Sequence, residues 1–250
     1  MHRFYIPFEN WNPDALKLDQ AESHHALDVL RLKQGERVVV FNGRGAEATA
    51  EITGTPGHGV ELRRILDAKS APLACRITLA QAIPKGKNMD LIVQKATELG
   101  AAAIAPLLSE RTVIQYEAGE GERKREKWQA VAIEAAKQCG QNWLPEIHRP
   151  QSPKEFFHAN PRFDLMLIAS LQPDSLHLKR VLADHLAIQN KKPANVLILV
   201  GPEGDFTPAE ISLAKSSGCR PITLGPIVLR TETAAIYCLS VLSYELLSPV

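Results

Sequence analysis

The spacing of apolar and polar positions changes near residue 70. Before it, short alternating segments dominate. Arg37 to Phe41 (RVVVF) is a β-branched run, and Asn42-Gly43 follows as a tight-turn pair, which predicts a hairpin. From Ala46 to Ile52, the small or apolar Ala48, Ala50 and Ile52 alternate with Glu47, Thr49 and Glu51, the period of a half-buried strand. A Gly/Pro turn leads into a third extended segment, Gly59 to Leu66. Upstream, Ser23 to Leu30 suits a short helix with Ser23 as N-cap. Short strands with turn punctuation predict a small β-barrel over residues 1–70, and residues 67–73 (DAKSAPL) fit a linker.

Beyond the linker, extended apolar runs alternate with helical ones. Arg76 to Ile83, Ala103 to Leu108, Leu165 to Ala169, Val196 to Val200 and Ile222 to Leu224 predict strands. Their unbroken apolar character suits a parallel sheet covered on both faces. Asp90 to Leu99 is helical, with Leu91, Ile92, Lys95 and Leu99 on related faces, and Arg123 to Cys139 forms a second helix. Thr207-Pro208-Ala209-Glu210 opens a third, with Thr at the N-cap, Pro at the first helical position and Glu at the third. Glu232 to Leu247 is a final helix, apolar on more than one face, which fits burial within the monomer and a subunit interface equally. Strand–helix alternation predicts an α/β domain over residues 73–250.

Composition narrows the class without naming it. The chain has 250 residues, 45% hydrophobic and 23% charged, which argues against a disordered chain, a coiled coil or a collagen-like repeat. Basic residues number 29 and acidic ones 28, so any nucleic-acid surface must come from local arrangement. The mixed-sign stretch Glu120 to Lys127 suits a solvated helix start. No apolar run approaches membrane-spanning length, and the first residues lack the pattern of a secretory signal. Cys75, Cys139, Cys219 and Cys238 are scattered, so a cytoplasmic protein with reduced thiols and no metal is expected.

Candidate chemistry gathers in three glycine turns that follow strands, where α/β proteins hold ligands. The first is Gly201-Pro202-Glu203-Gly204, after the Val196 to Val200 strand. The second is Gly225-Pro226, after which Leu229-Arg230-Thr231-Glu232-Thr233 leads into the last helix. Thr231, Thr233 and Glu232 suit a helix start, but a cation there is unfavourable unless it faces an anion, which singles out Arg230. The third is Pro84-Lys85-Gly86-Lys87. Each turn alone is equally a plain connection. No Walker A sequence, dinucleotide fingerprint, nucleophile elbow or zinc-protease helix is present.

Taken in order, these segments carry a family resemblance. Residues GPEGDF (201–206) followed by LGPIVLRTETA (224–234) resemble the RsmE family, the small-subunit (16S) ribosomal RNA (uracil-N3) methyltransferases of the SPOUT superfamily. His24-His25 through Leu32 and Gly35 look like that family's N-terminal PUA-like barrel. Lys85-Gly86-Lys87, Met89-Asp90, Lys95 to Gly100, Glu110 to Thr112 and Gln138 to Pro145 fall in family order. The resemblance covers nearly the whole chain. It departs at Asp205, where glycine is frequent, and at Ile227 and Gln141, where arginine is.

The resemblance implies a trefoil-knotted α/β methyltransferase domain over residues 73–250, a PUA-like RNA-binding domain over residues 1–70, S-adenosylmethionine as cofactor, and a homodimer. It implies methyl transfer to uridine N3 in ribosomal RNA, within an assembled small subunit, with no metal or membrane. Ala169, Ser170, Val200, Gly201, Gly204, Leu224, Gly225 and Leu229 are then expected to enclose the cofactor. Arg230 is expected to orient the uridine, with Glu203 and Glu232 as proton acceptors. His25, Arg31, Lys85, Lys87, Arg111, Gln138 and Gln141 are expected to meet RNA. The other readings are a SPOUT methyltransferase acting on a ribose 2′-hydroxyl or another base, a non-catalytic RNA-binding dimer, and a nucleotide-phosphate enzyme.

Overall fold

A computed structural model describes residues 1–86, 88–112, 119–159 and 162–247. The chain divides into two units: Met1–Pro72 with Ile133–Leu144, and Leu73–Ala132 with Pro145–Val250.

The first unit contains strands β1 (Arg3–Tyr5), β2 (Leu16–Leu18), β3 (Arg37–Phe41), β4 (Ala46–Gly54) and β5 (Val60–Lys69), and helix α1 (Gln20–His24). They form one sheet in the order β1-β3-β4-β5-β2. The alternation expected in β4 holds, with Ala48, Ala50 and Ile52 buried against Phe4, Leu16, Val38, Val40 and Leu62. The Asn42 side chain closes the β3–β4 turn by accepting from the N–H groups of Arg44 (2.8 Å) and Ala46 (3.0 Å).

Two expectations need correction here. Ser23 is not an N-cap. Helix α1 starts earlier, where the Asp19 carboxylate accepts from Glu22 N at 2.8 Å, and it runs into a π-turn over His25–Val29. Ser23 is instead buried, its hydroxyl donating to Leu18 O (3.3 Å) and accepting from Val60 N (3.1 Å). An acidic side chain at the positive end of a helix outcompetes a serine that can be used to join strands. The expected linker 67–73 is also partly strand, because β5 runs to Lys69 and pairs with β4 up to Ala46.

Residues 133–144 complete this unit through polar contacts. Lys137 Nζ lies 3.0 Å from both Glu22 carboxylate oxygens. Asn142 accepts from Arg3 and donates to Ser70, and the Trp143 indole donates to Ser70 O.

The second unit holds strands β6 (Arg76–Ala82), β7 (Ala103–Leu107), β8 (Glu146–Ile147), β9 (Leu165–Ala169), β10 (Leu176–His177), β11 (Asn195–Val200) and β12 (Arg220–Thr223). Its helices are α2 (Asn88–Glu98), α3 (Glu120–Cys139, whose end belongs to the first unit), α4 (Pro153–His158), α5 (Leu178–Gln189), α6 (Pro208–Ser216) and α7 (Thr231–Leu247). The sheet order is β10-β12-β9-β11-β6-β7-β8, and each pairing is parallel.

The apolar runs are buried on both faces, as parallel strands require. In β11, Val196, Ile198 and Val200 pack into one core with residues of α2, α5 and α7, while Leu197 and Leu199 pack into another with α4 and α6. Each such aliphatic side chain contributes about 1.5–3 kcal/mol by leaving water. The buried face of α2 is Met89, Ile92, Val93, Ala96 and Thr97, which leaves Leu91 at 40% exposure, away from its expected partners. Helix α6 carries the predicted capping box: Thr207 Oγ1 accepts from Glu210 N, and the Glu210 carboxylate accepts from Thr207 N. Among the described residues, no helix is long and apolar enough to cross a membrane.

Candidate functional site

Strands β9, β11 and β12 are neighbours in the sheet, so the loops that follow them converge at one edge. They enclose a cavity of about 330 Å³, within the range of small-molecule sites. Ala169, Ser170 and Leu171 line it from the β9 loop, residues 200–205 from the β11 turn, and residues 222–225 and 227–231 from β12 and the passage to α7, with Ala234 behind. All eight residues expected to enclose a cofactor, together with Arg230 and Glu203, meet in this cavity. Glu232 is not part of its lining; it sits half-buried in the first turn of α7.

The passage from β12 to α7 shapes the cavity. It leaves β12 on one side of β9 and delivers Thr231 to the ends of β11 and β6. There the Thr231 hydroxyl donates to Gly201 O at 2.6 Å and accepts from the Gln81 amide at 3.0 Å. Gln81 and Thr231 are both buried, so this chain of bonds ties the first residues of α7 to the β11 turn.

Two glycines have physical reasons to be glycine. A Cβ on Gly201 would meet Phe206 Cδ2 and N at 3.2 Å, a tight contact that the turn could take up only by shifting a few tenths of an ångström. Gly225 has φ 122°, a left-handed conformation that side chains rarely adopt, and a Cβ there would meet nothing within 4 Å. Open main chain with apolar Val200, Leu224 and Leu229 nearby suits a flat, partly apolar ligand that also needs peptide hydrogen bonds. An adenosine carrying an amino-acid arm fits that description.

The rest of the lining shows how the turn 201–206 is held. Asp205 has φ 70°, and its carboxylate accepts from Leu171 N (3.0 Å), Ser170 Oγ (3.3 Å) and Phe206 N (2.8 Å). The Arg111 guanidinium donates to Gly204 O and to Asp205 O (3.3 Å in the latter case). Glu203 is exposed and accepts one long bond, 3.4 Å, from Lys85 N. The outer part of the β9 loop is fixed by Lys215 against Asp174 at 2.5 Å, and that ammonium holds the Asp174 carboxyl below the usual carboxylate range. Arg230 is exposed, and its guanidinium has no ion pair among the described residues. It is therefore available to an incoming anion.

Among residues expected to meet RNA, Lys85 and Arg111 lie in the second unit, Arg111 with the bonds just given. Lys87 lies outside the described residues. In the first unit, Arg31 is exposed at φ 56°, Gln138 is exposed and Gln141 half-buried. His25 is half-buried, its ring edge-on to Phe4 at 6.2 Å. Cys139 is exposed. Among the described residues, no three His, Cys, Asp or Glu side chains gather as a metal site. Nothing in the sequence singles out the pairing of Thr231 with Gln81 or the bridging role of Asp205; Thr231 stands out there only as a helix-start residue.

The chain is similar to known proteins over most of its length. The family model of an RNA methyltransferase domain matches residues 71–243, and that of an RNA methyltransferase PUA domain matches residues 18–63. Ribosomal RNA small subunit methyltransferase E of Bacillus subtilis is 31% identical, over 90% of this chain and 88% of its own. A methyltransferase from Legionella pneumophila, solved with bound S-adenosylmethionine, superposes with TM-score 0.85 at 35% identity over 97% of each chain. Ribosomal RNA small subunit methyltransferase E from Neisseria gonorrhoeae, also bound to S-adenosylmethionine, gives TM-score 0.85 at 29% identity over 98% of each chain. With a PUA domain, a parallel α/β methyltransferase domain and relatives that span its length, the chain belongs to the ribosomal RNA small subunit methyltransferase E family.

Proposed function

We propose that the protein methylates uridine N3 in small-subunit ribosomal RNA, using S-adenosylmethionine held in the cavity between the β9, β11 and β12 loops. The observation that carries this reading is the convergence of all eight expected cofactor residues with Arg230 on one cavity. When bound, the cofactor supplies a methyl group on a sulfonium, ready for displacement. The main chain at Gly201 and Gly225 and the side chains of Val200, Leu224 and Leu229 hold the adenosine and methionine parts and fix the methyl in position.

The remaining work falls to charged side chains at the rim. Uridine N3 becomes a nucleophile only when it gives up its proton. Arg230 favours that loss by facing the negative charge that spreads onto the uracil oxygens. The exposed Glu203 carboxylate is the first candidate to accept the proton. Glu232, outside the cavity lining, is better suited to the helix start, where its charge complements the exposed N–H groups. Lys85, Lys87, Arg31, His25, Gln138 and Gln141 would contact RNA, Arg111 less so, because its guanidinium is engaged by two carbonyls.

The working form is a homodimer. Ile227 and Val228 at the cavity rim and Tyr244 on α7 are 75%, 71% and 75% exposed, apolar surface that a second copy would cover. The expected setting is the cytoplasm, with an assembled small subunit as substrate.

The test incubates small subunits lacking the modification with protein and methyl-labelled cofactor, then analyses the nucleosides by mass. The reading expects 3-methyluridine. Label on a ribose 2′-hydroxyl would replace the assignment of the acceptor, and no label would remove the activity.

A further inference from the structure

The ladder between β9 and β11 ends at the pair Ile168–Leu199, so the loops beyond it have no backbone pairing to keep them together. Their outer residues add little apolar packing: Leu171 is 61% exposed, and Glu203 and Gly204 are exposed. One side chain spans the gap. The Asp205 carboxylate, on the β11 side, accepts from Leu171 N and Ser170 Oγ on the β9 side, and turns its other oxygen to Phe206 N. A carboxylate that accepts from three donors uses charge-assisted bonds, stronger than neutral ones.

Its backbone conformation points the same way. Asp205 sits at φ 70°, where a residue with a Cβ is disfavoured unless local bonds compensate. The compensation comes from both sides. The side chain is bonded across the gap, and the main-chain carbonyls of Gly204 and Asp205 accept from Arg111. Lys215 holds Asp174 further out by an ion pair, and Ser170 N donates to Ile222 O on the β12 side at 3.0 Å, so among the described bonds it is the Asp205 carboxylate that ties the inner β9 loop to the β11 turn.

From this geometry we propose that Asp205 is a positioning residue for the cofactor: its carboxylate clamps the β9 loop to the β11 turn, so that two walls of the cavity are in place before the ligand arrives. The proposal rests on the cofactor reading above. Walls that are already ordered cost the ligand less entropy on binding. Asp205 acts on the ligand through Ser170 and Leu171, not by touching the methyl group or the uridine.

The test uses the full-length protein with Asp205→Gly and Asp205→Asn. Glycine adopts the positive φ freely and keeps the carbonyl for Arg111, so it removes the carboxylate with little strain. Asparagine keeps one accepting oxygen without the charge. Three quantities are measured: affinity for S-adenosylmethionine by calorimetry, KM for the RNA, and hydrogen exchange at Leu171 N without ligand. The expectation is about tenfold weaker cofactor binding in Asp205→Gly, the scale of one charge-assisted hydrogen bond. Asp205→Asn should fall between, KM for RNA should not change, and Leu171 N should exchange faster in both variants. Wild-type cofactor affinity in Asp205→Gly, or unchanged exchange at Leu171, overturns the clamp. Equal weakening toward cofactor and RNA, with a large drop in unfolding midpoint, also overturns it in favour of a general stabilising role. If the wild-type protein itself fails to bind S-adenosylmethionine, the proposed function is what fails, and the exchange at Leu171 still decides whether the clamp exists.

Discussion

Replacing Thr231 by Val removes one hydroxyl and keeps the shape of the side chain. In the wild type that hydroxyl donates to Gly201 O at 2.6 Å and accepts from Gln81 Nε2 at 3.0 Å, with Thr231 5% exposed and Gln81 fully buried. The Gln81 amide keeps its bond to Ala82 O, but its Oε1 has no partner among the described residues, so the side chain has little to spare. A buried polar group stripped of a partner costs about 1–3 kcal/mol, and the half-buried Gly201 carbonyl adds about 1 kcal/mol, so Thr231→Val should destabilise by about 2–4 kcal/mol. Thr231→Ser is the control, since it keeps both bonds and loses one buried methyl, worth about 1 kcal/mol. Guanidinium denaturation followed by far-ultraviolet circular dichroism measures both variants, and calorimetry measures their affinity for S-adenosylmethionine. The expected order is wild type, then Ser, then Val, with cofactor binding weakened most in Val because Gly201 lines the cavity. A Val variant as stable as the Ser variant would refute the role given to the hydroxyl.

Other consequences are open to direct measurement. Arg230→Ala should lower turnover at least tenfold while cofactor affinity changes little, if its guanidinium acts on the uridine as proposed; unchanged turnover in single-turnover kinetics would remove it from the mechanism. Burial pushes the thiols of Cys75 to about 11 and of Cys219 and Cys238 to about 12, whereas Cys139 is exposed. A thiol reagent at mildly alkaline pH should therefore modify one cysteine rapidly in the native protein and all four after denaturation. Lys137→Met should cost about 3 kcal/mol, because it leaves the buried Glu22 carboxylate without its partner. Burial already raises the Glu22 carboxyl above its ordinary value, so it takes up a proton readily, and the deficit relative to wild type should shrink as pH falls. Denaturation series at several pH values check this; a deficit that grows on acidification would contradict it.

Much of the α/β unit could be read from the chain because its strands are continuous apolar runs. Leu165–Ala169 matches the expected strand, and β11 differs only by starting at Asn195. The cavity was legible for a related reason: loops after parallel strands gather at one sheet edge, and glycines mark where main chain is exposed. What could not be read depends on residues distant in sequence. Gln81 and Thr231 are 150 positions apart, and Arg111 lies 93 from Gly204. No periodicity links such pairs. Strands β1 and β2 have three residues each, too few to show alternation. Helix α3 looked like an element of one domain, yet residues 133–144 belong to the first unit through Lys137, Asn142 and Trp143, polar contacts without a pattern in sequence.

What the cavity holds is tested most directly by a crystal of the protein grown with S-adenosylhomocysteine. The ligand is expected against the main chain of Gly201 and Gly225, between Val200, Leu224 and Leu229, with its sulfur on the side open to Arg230. Density for it anywhere else, with those three loops packed against each other, would contradict the assignment.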